Sequence, residues 1–345
     1  MSRRIGLALL AVVLVLVGAG CRDSRVIPLA DDGTPQITIM VGGLEKVIYL
    51  PAMLTERLGG FERHGVHVKL LGEQSGSTAE TSLLTGDVQG VVGFYDHTVD
   101  LQAKDQCITA VVTMSDVPGE AEVVSTAHPD IRAPADLRGR QLGLTSLGSS
   151  TDFLTQAITG RAGMTTEDYT RVKVGAGQTF IAAMTNDGIQ AGMTTDPTIA
   201  RMASDGSGRV LTDMRTEAGT RAALGGLYPS TSLYMKCDTV RDHPDTVARL
   251  AGSFVDTLRW IRAHDPAQIA AMMPPQYAAG GPDLYVRSIA DSIGMFNADG
   301  RMKPEGAQNV LGILGRYSRN VAPRRDAIDL SRTYTNTFVD QVAAP

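Results

Sequence analysis

Aromatic residues, blocks of like charge and cysteines are all scarce in this 345-residue sequence. Phe, Trp and Tyr make up only 5% of the chain, which argues against an extended stacking platform for carbohydrate or single-stranded nucleic acid. The net charge is −5, or −7 once a leader carrying Arg3 and Arg4 is removed, and there is no run of Lys or Arg. We do not expect such an acidic chain to bind nucleic acid.

The sequence patterns of several enzyme classes are also missing. There is no Walker loop, and no Gly-x-Ser-x-Gly motif surrounds Ser149 or Ser150. His64 and His67 are three residues apart, but they precede a predicted strand and have no carboxylate pair nearby, so no metal site is expected. The sequence therefore predicts a protein that is not an enzyme and needs no cofactor.

The N-terminus has the features of a secretion signal. Arg3 and Arg4 precede an uninterrupted run of apolar residues and glycines over 5–19. This run is shorter than the roughly 20 residues that a membrane-spanning helix needs, and it has the length of a signal-peptide core. We therefore expect a signal peptide over residues 1–20.

The residue after this leader is Cys21, and three small residues that begin with Gly18 precede it. The arrangement resembles a bacterial lipobox, in which the cysteine is acylated and becomes the new N-terminus, although Leu or Val is usual where Gly18 stands. We expect a lipidated Cys21 followed by a polar tether over 21–35, which has no apolar periodicity. Ordinary secretory cleavage near this point, with an incidental cysteine, is the alternative.

Two further cysteines, Cys107 and Cys237, complete the set of three. In an oxidising compartment an even pair is compatible with a disulfide. It is also compatible with two buried thiols that act as small apolar side chains. The sequence leaves both possibilities open.

Short β-branched runs alternate with helical stretches along most of the chain. Strands are predicted over residues 37–41, 66–71, 88–94, 141–145, 171–174 and 189–194. Such alternation is typical of βα units around a mostly parallel sheet. Two β-rich stretches, 108–126 and 230–237, are predicted to cross between two lobes, and the segments 245–264 and 304–317 are predicted to be helical.

Two α/β lobes joined by two crossings should enclose a cleft. Lobe one is predicted over 36–116 together with 232–345, and lobe two over 117–231. Because ligands of open α/β sheets bind beyond the carboxyl ends of the strands, the segments that follow the strands are expected to line this cleft. The candidate ligand-binding residues are Gly43, Leu44, Glu45, Tyr49, Gly76, Ser77, Thr78, Tyr95, Asp96, Ser146, Gly148, Ser149, Ser150, Thr151, Thr195 and Asp196.

The segment 142–153 is the most distinctive of these internal motifs, because a strand, a Gly/Ser turn and a helix start follow one another. Free N–H groups and hydroxyls at a helix start favour an anionic or strongly polar group. The alternative is that Ser149 or Ser150 only caps the helix.

Carboxylates among the candidates favour a different ligand. Glu45, Asp96 and Asp196 suit a cationic or amino-bearing ring, on which Tyr49 or Tyr95 would stack. An inorganic anion calls for a cation, and Lys46 is the only Lys or Arg at these strand ends. The balance favours an organic ligand with a ring or an amine.

Four segments occur in a fixed order: a Gly-Ser-Thr turn at 76–78, LLTGDV at 83–88, ADLRGR at 135–140 and a Gly-Ser-Ser-Thr turn at 148–151. In this order the chain resembles, over roughly residues 37–314, the periplasmic binding proteins for sulfonates, nitrate, taurine and thiamine-pyrimidine precursors. The resemblance implies a type II periplasmic-binding-protein fold, with two doubly wound lobes and a two-crossing hinge. It also implies delivery of a small organic ligand to the permease of an ABC importer.

We therefore expect a monomer that a lipid holds at the outer face of the membrane. A lipoprotein of the same fold that acts as a sensor or partner-binding module is the alternative. Some relatives of this fold make a thiamine pyrimidine with a histidine and a cysteine-rich motif. No cysteine-rich cluster occurs in this sequence, so that activity is less favoured.

Overall fold

The structure is a computed structural model, and it describes residues 26–278 and 280–342. The predicted signal peptide over 1–20 and the lipidation at Cys21 lie outside the described residues. Within the described ranges, no helix combines the length and the apolar character that crossing a membrane requires.

The first sheet combines strands from both halves of the chain. Its strands are β1 (Gln36–Val41), β2 (His67–Gly72), β3 (Gly90–Phe94), β4 (Ile108–Thr113) and β10 (Thr231–Lys236). Their order is β2-β1-β3-β10-β4. β1 is parallel to β2 and β3, whereas β10 is antiparallel to β3 and β4.

The second sheet repeats this plan. Its strands are β5 (Glu120–Ser125), β6 (Gln141–Leu144), β7 (Thr170–Lys173), β8 (Ala191–Thr195) and β9 (Gly208–Asp213). Their order is β7-β6-β8-β5-β9, with β6 parallel to β7 and β8, and β5 antiparallel to β8 and β9. Two mixed sheets, each with its own helices, confirm the predicted two-lobed α/β fold.

Helices connect the strands and pack on the sheets. They are α1 (Leu50–Arg57), α2 (Gly60–Arg63), α3 (Gly76–Thr85), α4 (Asp96–Gln102), α5 (Ser150–Arg161), α6 (Gln178–Thr185), α7 (Thr198–Asp205), α8 (Glu217–Leu224), α9 (Cys237–Asp242), α10 (Pro244–Ala263), α11 (Pro266–Met272), α12 (Pro282–Ser292) and α13 (Pro304–Tyr317). Local sequence explains their ends. In α3, Ser75 accepts a hydrogen bond from the Thr78 N–H at the start, and Gly86 ends the helix in the left-handed conformation.

Two chain segments connect the sheets. Residues 114–119 lead from β4 to β5, and residues 225–230 lead from α8 to β10. The segments lie side by side, because the Tyr228 N–H donates to the Asp116 carbonyl at 3.1 Å and the Ser115 and Ser230 hydroxyl oxygens are 3.0 Å apart.

Cys107 and Cys237 form a disulfide, with their Cα atoms 5.4 Å apart. The bond joins the residue before β4 to the first residue of α9, and the Cys237 N–H also donates to the Cys107 carbonyl at 3.0 Å. Of the two possibilities that the sequence left open, the structure contains the disulfide.

Candidate ligand site between the lobes

The facing strand ends of the two sheets are in direct contact. The Val47 N–H, which follows β1, donates to the carbonyl of Asp196, which follows β8, at 3.0 Å. The Ser150 hydroxyl at the start of α5 donates to the Asp96 carboxylate at the start of α4, at 3.1 Å. The lobes therefore meet at the edge where open α/β sheets bind their ligands.

Asp96 connects three parts of the molecule at this contact. Its side chain is fully buried, and its carboxylate accepts hydrogen bonds from the Tyr228 hydroxyl at 2.8 Å and from Ser150. Burial raises the pKa of Asp96, against the opposing effect of the neighbouring His97 charge. One carboxylate thus joins the first lobe, the second lobe and a crossing segment.

His97 is the next residue along α4, and it is also fully buried. Its Nδ1 contacts the Glu80 carboxylate of α3, and its Nε2 lies 3.3 Å from the Ser150 hydroxyl. Burial alone would lower the pKa of His97, but the Glu80 and Asp96 carboxylates outweigh it and raise the pKa to about 9. A Cβ at Gly76 would lie 2.4 Å from His97 Nε2, so only glycine leaves room for the imidazole there.

Lys46 contributes a buried ammonium group after β1. Its Nζ donates to the carbonyls of Gly42 at 2.6 Å and Gln74 at 3.0 Å. Burial lowers the pKa of Lys46, while the charges of Glu45 and Glu120 oppose that shift. The ammonium is thus held by backbone carbonyls of its own lobe.

Glu120 comes from the second lobe, as the first residue of β5. Its side chain is 3% exposed, and no group among the described residues donates a hydrogen bond to its Oε2. Burial raises the pKa of Glu120 to about 8, although the Lys46 charge acts in the opposite direction.

Three buried tyrosines surround these charges. The Tyr49 ring meets Phe94 edge-on, and the Tyr234 ring lies 6.4 Å from the imidazole of His97. Burial raises the tyrosine pKa values well above their usual range, so the hydroxyls are neutral. We call the whole set the interlobe cluster; its members are Lys46, Tyr49, Glu80, Asp96, His97, Glu120, Tyr228 and Tyr234.

Two cavities border the interlobe cluster. The first has a volume of about 230 Å³ and is lined from both lobes by Glu45, Lys46, Gly177, Gln178, Thr198, Arg201, Gln276 and Tyr277, among others. The second has a volume of about 440 Å³ and is lined by Ser77, Glu80, Leu101, Lys104, Leu147 and Gly148, among others. Lys46 lines the first cavity and Glu80 lines the second, so each cavity borders the interlobe cluster.

The structure brings some of the sequence-predicted residues together at this place. Tyr49 and Asp96 belong to the cluster, and Ser150 and Gly76 contact it. The predicted residues Glu45, Ser77 and Gly148 line the two cavities. Gly43 packs against the side chain of Lys46, and Leu44 packs against Gly72.

Tyr95 lies elsewhere than expected. Its hydroxyl is 2.6 Å from that of Thr333, and its ring meets Tyr334 edge-on at 6.2 Å. The ring therefore packs on the C-terminal segment, because α4 begins at the next residue and turns the Tyr95 side chain away from the interlobe cluster.

The carboxylate of Asp196 is already satisfied by protein groups. It accepts hydrogen bonds from Arg215 at 3.0 Å, from Ser292 of the first lobe at 2.9 Å and from the Ala200 N–H at 3.0 Å. Its neighbour Thr195 donates to the Gly119 carbonyl at 3.0 Å. These two residues hold the lobes and a crossing together, and their predicted contacts with a ligand stay predictions.

The Gly/Ser turn before α5 is likewise bonded within itself. Ser149 donates to the Ser146 carbonyl at 2.6 Å, and the Thr145 N–H donates to the Thr151 hydroxyl at 3.0 Å. The Asp152 carboxylate accepts a hydrogen bond from the Gly148 N–H at 2.8 Å. It thus occupies the place where an anionic ligand was predicted. Thr78 is similarly engaged by Ser75. Several donors of this turn are thus engaged by protein groups, and the Ser150 hydroxyl faces Asp96.

Five members of the cluster were not predicted from the sequence: Glu80, His97, Glu120, Tyr228 and Tyr234. His97 comes three residues after the end of a predicted strand, and Glu120 directly follows the Pro-Gly pair of the first predicted crossing, so these two had a usable positional signal. The others reach the cluster through contacts that are distant in sequence. Within the described part of the chain, no group of His, Cys, Asp and Glu has the arrangement of a metal site.

A two-lobed α/β fold with a buried polar cluster at the facing strand ends is the architecture of periplasmic binding proteins. The chain matches the family model described as NMT1/THI5 like over residues 49–267. This match covers more than half of the sequence, and the chain belongs to that family.

Solved structures agree with this assignment. A protein of Bordetella bronchiseptica RB50 is 29% identical, with a TM-score of 0.85 over 89% of this chain and 96% of its own. The alkanesulfonate-binding protein SsuA of Xanthomonas axonopodis pv. citri, bound to MOPS, is 16% identical, with a TM-score of 0.69 over 87% and 98% of the chains. The periplasmic nitrate-binding protein NrtA of Synechocystis PCC 6803 is 11% identical, with a TM-score of 0.68 over 89% and 88%. At these identities the last two support the fold alone. No curated protein sequence gave a significant match.

Proposed function

We propose that this protein is an extracytoplasmic solute-binding protein of an ABC importer. It captures a small organic molecule between its lobes and delivers it to a permease, without chemical conversion. The observation that carries the proposal is a pair of buried, unpartnered polar groups in the interlobe cluster, Glu120 Oε2 and the Tyr234 hydroxyl, judged among the described residues. Buried polar groups normally have hydrogen-bond partners, so such a pair between two lobes suits a ligand.

Thermal-shift screening against a library of small solutes tests the binding step. A ligand at a hundredfold excess over its Kd stabilises a binder by about 2.7 kcal/mol. Since about 1 kcal/mol corresponds to roughly 2–4 °C for a domain of this size, a true ligand raises the Tm by several degrees. If no solute class raises the Tm and the protein chemically converts one of the solutes, the result would count against a binding protein.

Delivery is tested in cells with the ligand that the screen identifies. A strain without the protein should lose uptake of that ligand, because the permease depends on the binding protein. Unchanged uptake would instead favour a sensor or partner-binding role for the same fold.

Anchoring rests on the lipobox-like residues that end at Cys21. We propose that the mature protein begins at this lipidated cysteine, and that it acts as a monomer tethered by residues 21–35. Cys21→Ala should move the protein from the membrane fraction to the soluble extracytoplasmic fraction. Retention of that variant in the membrane fraction would contradict the lipid anchor.

A further inference from the structure

We infer that the ligand carries a positively charged nitrogen group, an amine or amidine, which donates hydrogen bonds to the Glu120 carboxylate. The inference rests on the proposed solute-binding function and assigns a chemical class to its ligand. It also moves the recognition of that ligand away from Asp96 and Asp196, which the structure shows to be bonded to protein groups.

The cations of the interlobe cluster are already engaged. The Lys46 ammonium donates to two backbone carbonyls, and the His97 imidazole contacts Glu80 and Ser150. Judged among the described residues, the third Lys46 N–H and the Tyr234 hydroxyl are still free to donate, but the carboxylates of the cluster outnumber its cations, so the charge of the cluster disfavours an anion.

The carboxylates of the cluster, which accept hydrogen bonds, are not all engaged. Asp96 is satisfied by two hydroxyls and Glu80 contacts His97, whereas the described residues supply no donor to Glu120 Oε2. A ligand that brings N–H donors, admitted when the lobes separate, would complete the hydrogen bonding of this buried carboxylate.

Charge balance points in the same direction. With every group ionised, the cluster has three carboxylates, Glu80, Asp96 and Glu120, against two cations, Lys46 and His97. An uncompensated buried charge is costly, so without a ligand one carboxylate is best kept neutral by a proton. A cationic ligand removes that need, because it supplies the missing positive charge itself.

The walls of the site suit an organic cation. The rings of Tyr49, Tyr228 and Tyr234 are buried in the cluster, and aromatic faces attract cationic groups. The cavity of about 230 Å³ beside Lys46 adds Tyr277 and the exposed carboxylate of Glu45 to its lining. A small molecule with a charged nitrogen at one end thus meets carboxylate and aromatic groups along the contact between the lobes.

A matched set of small aromatic probes tests the sign of the charge that the ligand carries. Benzamidine and benzylamine present cations, benzamide and benzyl alcohol are their neutral counterparts, and benzenesulfonate is the anion. We expect titration calorimetry to detect binding of a cationic probe, at least tenfold tighter than its neutral counterpart. Binding of benzenesulfonate or the neutral probes without the cations overturns the inference and leaves the solute-binding function standing. Binding of none of the five overturns the inference as well, and the broader solute screen then decides the function.

Glu120→Gln is the variant that tests the residue, and Glu122→Gln is its matched control. Glu122 lies two positions along β5 and is equally buried, with a pKa also raised to about 8 by burial. We expect Glu120→Gln to weaken the cationic probe at least tenfold and Glu122→Gln to leave its Kd within twofold of the wild type. Equal Kd values for the wild type and Glu120→Gln would overturn the assignment.

Proton release provides a readout that needs no variant. Glu120 faces Lys46, Asp96, His97 and Glu122, and burial raises its pKa to about 8. Below that pH, a cation that pairs with the carboxylate expels its proton, so benzamidine affinity should rise up to tenfold per pH unit between pH 6 and 8. Calorimetry in two buffers of different ionisation enthalpy should show release of about one proton at pH 7. Affinity that is independent of pH, with no proton release, would contradict the inference.

Discussion

Asp96 has a structural role at the contact between the lobes, and its predicted contact with a ligand stays a prediction. Its carboxylate accepts from Tyr228 in one crossing and from Ser150 in the second lobe, and all three side chains are buried. Removing a partner from a buried carboxylate leaves it with an incomplete hydrogen-bond set, which is more costly than losing a contact at the surface.

Tyr228→Phe is therefore expected to destabilise the protein by about 1.5–3 kcal/mol, the usual range for a hydrogen bond to a charged group. Urea denaturation measures this loss. Tyr95→Phe is the control, because the Tyr95 hydroxyl is also buried but its partner is the neutral hydroxyl of Thr333. That variant should lose only about 0.5–1.5 kcal/mol. An equal loss in both variants would show that the Asp96 charge adds nothing.

Glu122 makes stability depend on pH. Both of its carboxylate oxygens are buried without a donor among the described residues, and burial raises its pKa to about 8. The folded protein therefore keeps a proton there that the unfolded chain loses above its ordinary pKa of about 4.3. The contribution of Glu122 to stability must fall as the pH rises from about 5 to 8.

Glu122→Gln should remove this dependence. Relative to the variant, the wild type should lose stability by up to about 1.4 kcal/mol per pH unit between pH 5 and 8, and the difference should level off above pH 8. Denaturation at a series of pH values measures the two curves. Parallel curves over this range would show that Glu122 is ionised in the folded protein.

Position after a strand was predictable from sequence, whereas the partners of a residue were not. The sequence placed Asp196 beyond β8, and the structure agrees. Its carboxylate, however, is bonded to Arg215 and to Ser292, which is 96 residues away. The pattern of a single segment contains no information about contacts of that range.

At the scale of elements, helix α5 belongs to the second lobe and also packs on the first. Ten of its twelve residues, 150–159, are buried. Its apolar residues Phe153, Leu154 and Ile158 belong to the same cluster as the core of the first sheet, although α5 follows β6 of the second. A helix buried all round packs on both sides, and α5 therefore forms part of the surface that the second lobe presents to the first.

Periodicity predicted the two longest helices well. The helix predicted over 304–317 has these same bounds in the structure, and the one predicted over 245–264 spans Pro244–Ala263. No helix was predicted for α4, which has only seven residues and a polar first turn. An element this short has too few periodic positions to give a signal, so the residues around His97 were interpreted only as the end of a strand.

The disulfide between Cys107 and Cys237 closes a long loop, because the two residues are 130 positions apart. Cross-links over long loops restrict the unfolded chain most, and native disulfides typically contribute about 2–5 kcal/mol. The double variant Cys107→Ser/Cys237→Ser should lose this amount in urea denaturation. Adding a reductant should destabilise the wild type and leave the variant unaffected. A loss within error of zero would contradict a stabilising disulfide.

At the scale of the whole molecule, contacts on several sides hold the lobes together. Val47 and Ser292 of the first lobe both donate to Asp196 of the second, and Lys303 donates to Asp116 at the first crossing at 2.6 Å. With these contacts made, the side chains of the interlobe cluster are buried. We propose that the lobes separate about the crossings 114–119 and 225–230 to admit a ligand, as hinged domains do. The predicted lobe boundaries at 116/117 and 231/232 stay predictions within this proposal.

Gly160 offers a way to hold the lobes apart. It lies on α5, and a Cβ at this position would be 2.3 Å from Cε1 of Tyr317 on α13 of the first lobe. Gly160→Val should therefore push α5 away from α13, enlarge the radius of gyration in small-angle scattering and weaken any interlobe ligand at least tenfold. Gly312→Val on α13 is the control, because a Cβ there meets nothing within 4 Å.

The scattering comparison also tests the hinge itself. Wild-type protein with a saturating ligand should be more compact than without it, and Gly160→Val should stay extended in both conditions because its added side chain blocks the closed packing. Gly312→Val should behave like the wild type. If Gly160→Val contracts normally and binds with unchanged affinity, the Tyr317 ring has simply moved aside. The α5–α13 contact then does not control closure, and the interlobe cluster would have to be reached by another movement.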